Sequence, residues 1–133
     1  MRVVVLGCGR FGAKVAEVLD RGGHNVTVIA GDAEGFARLP KGFRGQVAVG
    51  NLIDVDVLRE HGVEGADALI ALTDGDNTNV MASQIAKHIL GVPIVISQIK
   101  DPVREDTYNT LGIQTICPTR LGAERIREMI ALN

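Results

Sequence analysis

Short runs of aliphatic and β-branched residues alternate along this chain with stretches whose apolar positions recur every three or four residues. The runs at 2–6, 25–30, 46–49, 68–72, 94–98 and 115–117 predict six strands. Between them, Phe11, Val15, Val18 and Leu19 share one helical face, and Gly22-Gly23 closes that helix. Ala82, Ile85, Ala86 and Ile89 make a second stripe, with Gly91 at its end. Asp101-Pro102 reads as an N-cap followed by a first-turn proline, opening a helix that carries Val103, Thr107 and Leu111 and stops at Gly112. A last helix is expected over 121–132. Ile126, Met129 and Ile130 lie on one of its faces and Arg120, Glu124 and Arg127 elsewhere. The pattern leaves open whether that apolar face covers the sheet or meets a partner.

Strand and helix patterns that alternate from end to end define βα units and a parallel sheet, the α/β class. Composition agrees: 46% of the 133 residues are hydrophobic but only 3% aromatic, so the core is aliphatic, as strands buried on both faces require. The net charge of -2 gives no electrostatic footprint for nucleic acid, and none is expected as a partner. No apolar run approaches the ~20 residues of a membrane-spanning helix, and Arg2 is followed at once by a short apolar run and a glycine turn, unlike a signal peptide. Cys8 and Cys117 cannot make a disulfide framework. The expectation is one soluble, cytosolic domain over 1–133.

Chemistry concentrates in Gly7-Cys8-Gly9-Arg10-Phe11-Gly12, a G-x-G-x-x-G placed directly after the first strand and opening a helix. Gly7 permits the tight turn, Gly9 lets a diphosphate approach the backbone, and Gly12 lets helix and strand pack closely. The helix N-terminus then offers free N–H groups and partial positive charge. These features predict a Rossmann-like, doubly wound six-stranded parallel sheet of strand order 3-2-1-4-5-6 with a C-terminal helix, binding a nucleotide. An acidic residue ordinarily ends the second strand and holds the ribose hydroxyls; here Ala30 stands there and Asp32 follows two residues later. Asp32 either reaches the ribose or caps the short helix running through Leu39. No arginine follows immediately, so a preference for NADP is not indicated.

The arrangement resembles the RCK domain, also called the KTN or TrkA N-terminal domain, of potassium-channel and potassium-transporter regulators. The resemblance rests on the glycine loop, Gly23-His24-Asn25-Val26, Val49-Gly50-Asn51, the run from Ala66 to Asp74, Asn79, and Cys117-Pro118-Thr119-Arg120-Leu121. It implies that Gly7, Gly9 and Gly12 line the phosphates, with Cys8 and Phe11 in the same cofactor-binding loop, and that Arg10 contacts phosphate, that of a neighbouring subunit included. Asn51, with Leu52 beside it, takes the place of an aspartate next to the adenine. Thr73 and Asp74 would border the cofactor, and Lys100 supplies a basic residue near it. With carboxylates missing at both Ala30 and Asn51, ATP or ADP gains ground relative to NAD(H). The implied protein is a regulatory subunit, forming a dimer or larger ring, that gates a membrane potassium channel or transporter subunit from the inner face of the membrane. Family members usually continue into a C-terminal ligand lobe, and this sequence ends at Asn133 before one.

Other constellations add little. Cys8 is read as a small side chain under the turn, with a redox-sensing thiol as the alternative. His24, His61 and His88 lack metal spacing. Asp74, Asp76 and Asn77 suit helix capping better than a divalent cation. No nucleophile elbow, Walker lysine or acid–base pair stands out, so an enzyme is not expected. The competing readings are an NAD(P)-dependent oxidoreductase domain, which would need catalytic residues and a substrate domain, and a vestigial interaction module, which would bind no nucleotide.

Overall fold

A computed structural model describes residues 1–133, the side chain of Thr110 excepted. In chain order the elements are β1 (Arg2–Leu6), α1 (Arg10–Arg21), β2 (Asn25–Ala30), a 3-10 turn (Glu34–Arg38), β3 (Gln46–Val49), α2 (Val55–Glu60) and β4 (Ala68–Ala71). Then follow α3 (Asp76–Gln84), prolonged by a π turn (Ile85–Ile89), β5 (Ile94–Gln98), α4 (Pro102–Tyr108), a 3-10 turn (Asn109–Leu111), β6 (Gln114–Ile116) and α5 (Pro118–Ala131). The strands form one parallel sheet in the order β3-β2-β1-β4-β5-β6, the doubly wound order that the sequence predicts. Val5 of β1 stands between Val28 of β2 and Ile70 of β4, which fixes the register at the centre.

Alternation along the strands builds two cores. Val3, Val5, Val26 and Val28 face α1 and the first 3-10 turn, meeting Ala13 and Ala16. Val4, Leu6, Ile29, Leu69 and Val95 face the other way, onto Leu58 of α2 and Ala82 and Ala86 of α3 and its π turn. Each fully buried Leu, Ile or Val contributes roughly 1.5–3 kcal/mol relative to exposure. Because the chain passes from β3 back across β1 to β4, the helices change face there. The loops after β1 and β4 therefore diverge and leave a crevice at the carboxyl ends of the strands.

Three elements differ in their bounds from the sequence pattern. β4 ends at Ala71, one residue short of Leu72. β6 begins one residue early, and Cys117 serves as N-cap of a helix that starts at Pro118, not Leu121. Proline at the first helical position has no N–H to satisfy, so it extends the helix backward into Pro118-Thr119-Arg120. The stripe after Ala82 also continues as a wider π turn, with Leu90 N–H donating to Ile85 C=O. α5 answers the question left open by its pattern: none of its residues is buried, and Leu121, Ile126, Met129 and Ile130 are all exposed. Its first turn is anchored by Arg120, which pairs with the buried Glu105 and donates from Nη2 to Pro102 C=O at 2.9 Å. No helix of the described residues is long and apolar enough to cross a membrane.

Candidate functional site

The glycine loop is held by backbone contacts that side chains would obstruct. Gly7 has φ +96°, and its N–H donates to Ile29 C=O at 2.8 Å, tying the loop to β2. A Cβ there would lie 2.8 Å from Leu72 C=O and 2.9 Å from the Thr73 nitrogen. At Gly12 a Cβ would run into Gly7 C=O. Gly9 differs: it is the N-cap of α1, and a Cβ there would touch nothing within 4 Å. No side chain caps α1, whereas Asp54 caps α2 and Asp101 caps α4 with their carboxylates. The first N–H groups of α1 are thus left for something other than the protein's own side chains.

These groups border a cleft of about 340 Å³ at the carboxyl ends of β1, β2 and β4. Gly7, Cys8 and Gly9 form its floor; Ala30, Gly31, Asp32, Glu34, Gly35 and Arg38 make one wall; Leu52, Leu72, Thr73 and Asp74 make the other. A larger cavity, about 590 Å³, lies against the opening residues Arg2, Asn25 and Gln46 of three strands and the C-terminal end of α2 at Glu60 and His61. A helix C-terminus carries partial negative charge, which suits a phosphate poorly. The glycine-loop cleft is the site.

Of the residues the sequence points to, Gly7, Cys8, Gly9, Ala30, Asp32, Leu52, Thr73 and Asp74 line this cleft together. Arg10, Phe11, Gly12, Asn51 and Lys100 do not. Arg10 and Phe11 are exposed on the first turn of α1, and Gly12 packs under the loop. Asn51 accepts from Ile53 N–H at 3.1 Å, shaping its own turn. Lys100 reaches the rim indirectly, with Nζ 3.1 Å from Asp74 Oδ1. Asp32 lines the cleft, and its Oδ1 accepts from Glu34 N–H at 2.9 Å, while Ala33 is the N-cap of the 3-10 turn.

Sequence reasoning missed Arg38. It does not follow β2 immediately, but the 3-10 turn folds back over the glycine loop, and Arg38 Nη1 donates to Cys8 C=O at 3.3 Å. Gly35 makes this possible, because a Cβ there would collide with the same carbonyl. The spacing Gly35-x-x-Arg38 is visible in the sequence but means nothing until the turn is known.

Thr73 and Asp74 are positioned by Asn79, which is fully buried on α3. Its Oδ1 accepts from Thr73 N–H at 2.9 Å and from Thr73 Oγ1 at 2.6 Å. Its Nδ2 donates to Thr73 C=O and to Gln98 C=O, each at 3.1 Å. Beside it, Asp76 accepts from Lys100 N–H at 2.8 Å and from Asp101 N–H at 3.3 Å, clasping the loops after β4 and β5 together. The helix capping expected of this cluster is not realised: Gly75 is the N-cap of α3 and no side chain caps it, because Asp76 is turned onto the loop after β5, Asp74 onto Lys100 and Asn77 onto Arg104.

Cys8 is buried, and its Sγ donates to Gly35 C=O at 3.2 Å. Burial pushes its thiol pKa above the ordinary value, and the nearby Arg38 charge only partly opposes this. With its pKa raised, the thiol stays protonated at neutral pH. We expect iodoacetamide to label Cys8 far more slowly at pH 7 than the same cysteine in the unfolded chain, as peptide mapping would show. Equal rates would mean an accessible thiolate.

A doubly wound sheet with a glycine loop at its switch point defines an α/β domain of the Rossmann type. The TrkA-N domain family model matches residues 3–118, and the chain belongs to that family. A potassium uptake protein of Streptomyces coelicolor, TrkA of the Trk system, is 40% identical over 126 residues, covering 95% of this chain and 56% of that protein. A TrkA homolog of Pyrococcus abyssi is 32% identical over 81% of this chain and 48% of its own length. The chain thus spans about half the length of the curated relatives it matches. Among solved structures, Shewanella denitrificans Kef CTD in its AMP-bound form superposes with a TM-score of 0.81 at 20% identity, over 99% of this chain and 81% of that one. The GsuK channel bound to NAD gives a TM-score of 0.75 at 20% identity over 90% of this chain and 22% of that one. At these identities the structural likeness is one of fold.

Proposed function

We propose that this chain is the nucleotide-binding lobe of a regulatory subunit for potassium uptake, and that an adenine nucleotide or NAD(H) in the glycine-loop cleft sets its state. The observation that carries the reading is the floor of the cleft: Gly9 caps α1 without a side chain and borders the cleft beside uncapped helix N–H groups. That arrangement suits a diphosphate. The relatives named TrkA and the AMP- and NAD-bound neighbours support the direction. Gly7, Gly9 and the first turn of α1 would hold phosphates, while Asp32, Leu52 and Thr73 would border the nucleoside. Arg10, exposed on the first turn of α1, would meet phosphate carried by a neighbouring copy. The role is binding, not catalysis.

A regulatory lobe needs contacts that differ between states, since a ligand shifts an equilibrium only by its differential affinity for them. The unburied apolar face of α5, with Ile126, Met129 and Ile130, is the surface through which the lobe would assemble as a dimer or ring and reach a membrane transporter from its inner side.

A thermal-shift panel of AMP, ADP, ATP, NAD, NADH and NADPH tests the reading. At a hundredfold excess over Kd a ligand of the native state adds about 2.7 kcal/mol of stability, which corresponds to a rise of roughly 10 °C for a domain of this size. A shift led by ATP or ADP would agree with the missing carboxylates at Ala30 and Asn51. No shift with any of them would overturn nucleotide binding.

A further inference from the structure

The wall of the cleft formed after β2 is built differently from one made to grip a ribose diol. The strand ends on Ala30, which lines the cleft and offers no carboxylate. Asp32 comes later, with Oδ1 turned onto Glu34 N–H. In their place a guanidinium has been brought in from eight residues beyond Ala30. The 3-10 turn Glu34–Arg38 lies directly on the loop because Gly35 has no side chain to strike Cys8 C=O. Arg38 then donates to that carbonyl, between Gly7 and Gly9, and lines the cleft. Among the described residues Arg38 belongs to no ion pair, so its remaining N–H donors face no fixed carboxylate partner. In this class of fold the adenosine ribose lies where the second strand ends. There an acid selects free hydroxyls and an arginine accommodates a phosphate on the 2′ oxygen.

Resting on the nucleotide-binding reading above, we propose that the cleft selects adenine nucleotides phosphorylated on the adenosine ribose, with Arg38 as the residue that recognises that 2′-phosphate. Guanidinium and phosphate match in charge and in planar donor geometry, which makes such pairs the stronger kind of hydrogen bond. Asp32 and Glu34 on the same wall act against it. Asp32 can accept a ribose hydroxyl through its other oxygen, and Glu34 repels a dianion. The choice between the two chemistries therefore turns on Arg38, and neutralising Glu34 should tip it further toward phosphate.

The test is equilibrium binding by calorimetry on the 133-residue chain, with two matched pairs of probes: NADPH against NADH, and adenosine 2′,5′-bisphosphate against AMP. Within each pair the compounds differ by the 2′-phosphate. We expect the phosphorylated member of each pair to bind at least ~10-fold more tightly, the worth of one good charge-assisted contact. Arg38→Ala should abolish that preference, Arg38→Lys should retain part of it, and Glu34→Gln should widen it. NADH and AMP binding as tightly as their phosphorylated partners, or more tightly, would overturn the proposal and assign the ribose to Asp32. Arg38→Ala weakening all four compounds equally would also overturn it, reducing Arg38 to a brace for the loop. If none of the four binds, and ADP and ATP do not either, the nucleotide reading itself fails. Binding of ADP and NADH without a 2′-phosphate preference leaves that reading standing and removes only the specificity.

Discussion

Gly12→Ala is expected to destabilise the fold by about 3 kcal/mol or more, while Gly9→Ala, three residues away in the same motif, leaves stability nearly unchanged and removes nucleotide binding. The contrast follows from what each new methyl group meets. Gly12 sits in the first turn of α1, where helix propensity alone would favour alanine by about 1 kcal/mol. Its Cβ, however, would drive into Gly7 C=O, a backbone atom fixed by the Gly7–Ile29 hydrogen bond. The neighbour cannot rotate away as a flexible side chain would. Either α1 lifts from the sheet or the loop gives up its pairing, and both uncover the core around Ala13 and Ala16. At Gly9 the methyl group meets nothing, and the backbone there is extended, with φ -74° and ψ -169°, a conformation open to any residue. The loss of N-cap preference from glycine to alanine is worth no more than about 1 kcal/mol. What the methyl group does occupy is the cleft, on the path of a phosphate toward the α1 N–H groups. Urea denaturation of both variants and calorimetric titration of Gly9→Ala with ADP and NADH check the two halves. A Gly12→Ala protein as stable as wild type would mean that the tight packing of α1 on the loop is not a constraint. A Gly9→Ala protein that binds as wild type does would take Gly9 off the phosphate path.

The same residues show what a sequence carries and where it stops. Strand positions were legible because the central strands are buried on two faces, so that aliphatic runs such as Val3-Val4-Val5-Leu6 stand out against helical spacing. Strand order followed from the glycine loop at the first turn, since that motif belongs to one topology. The floor of the cleft was legible for the same reason: Gly7, Cys8 and Gly9 are contiguous, and their geometry is local. The wall was not. Arg38 reaches the loop through a 3-10 turn whose fit depends on the absence of a side chain at Gly35, a contact between residues 27 positions apart that no periodicity encodes. Asn51 and Lys100 illustrate the opposite difficulty. Each lies at the end of its strand, as the family pattern says, but side-chain direction decides what lines a cleft. Asn51 turns onto Ile53 and Lys100 onto Asp74. The start of α5 was missed because an apolar stripe marks where a helix packs, while a first-turn proline marks where it begins, and here the two are three residues apart.

Asn79→Ala should cost the domain about 2–5 kcal/mol and loosen the cleft, although Asn79 itself does not line it. Asn79 was picked out only as part of a family pattern, and its place explains why an amide is needed. The side chain is fully buried, with every strong donor and acceptor engaged between the end of β4 and the end of β5. Truncation leaves Thr73 N–H and Gln98 C=O without these partners, whereas Thr73 C=O keeps the bond from Gln98 Nε2 at 3.0 Å. Two orphaned backbone groups at ~1–3 kcal/mol each set the size of the loss, a large fraction of the 5–15 kcal/mol that holds a typical domain together. Asn79→Asp discriminates further. Oδ1 and its acceptor role survive, but the second oxygen faces Thr73 C=O and Gln98 C=O, both acceptors, so a charge would be buried against lone pairs. We expect it to be at least as destabilised as the alanine variant at neutral pH. Because burial and those lone pairs disfavour the ionised form, its carboxyl pKa in the folded state should lie above the unfolded value. The deficit relative to wild type should then shrink as pH falls through that raised pKa and protonation restores one donor. Thr73 and Asp74 sit directly over the glycine loop, so the affinity of whichever nucleotide binds should fall with them. Urea melts at pH 5 and pH 8, with a nucleotide titration of the folded variants, measure both effects. Equal stability of Asn79→Asp and Asn79→Ala across that range would show that the amide's donor side carries none of the load, and unchanged nucleotide affinity in both would separate the Thr73 turn from the site.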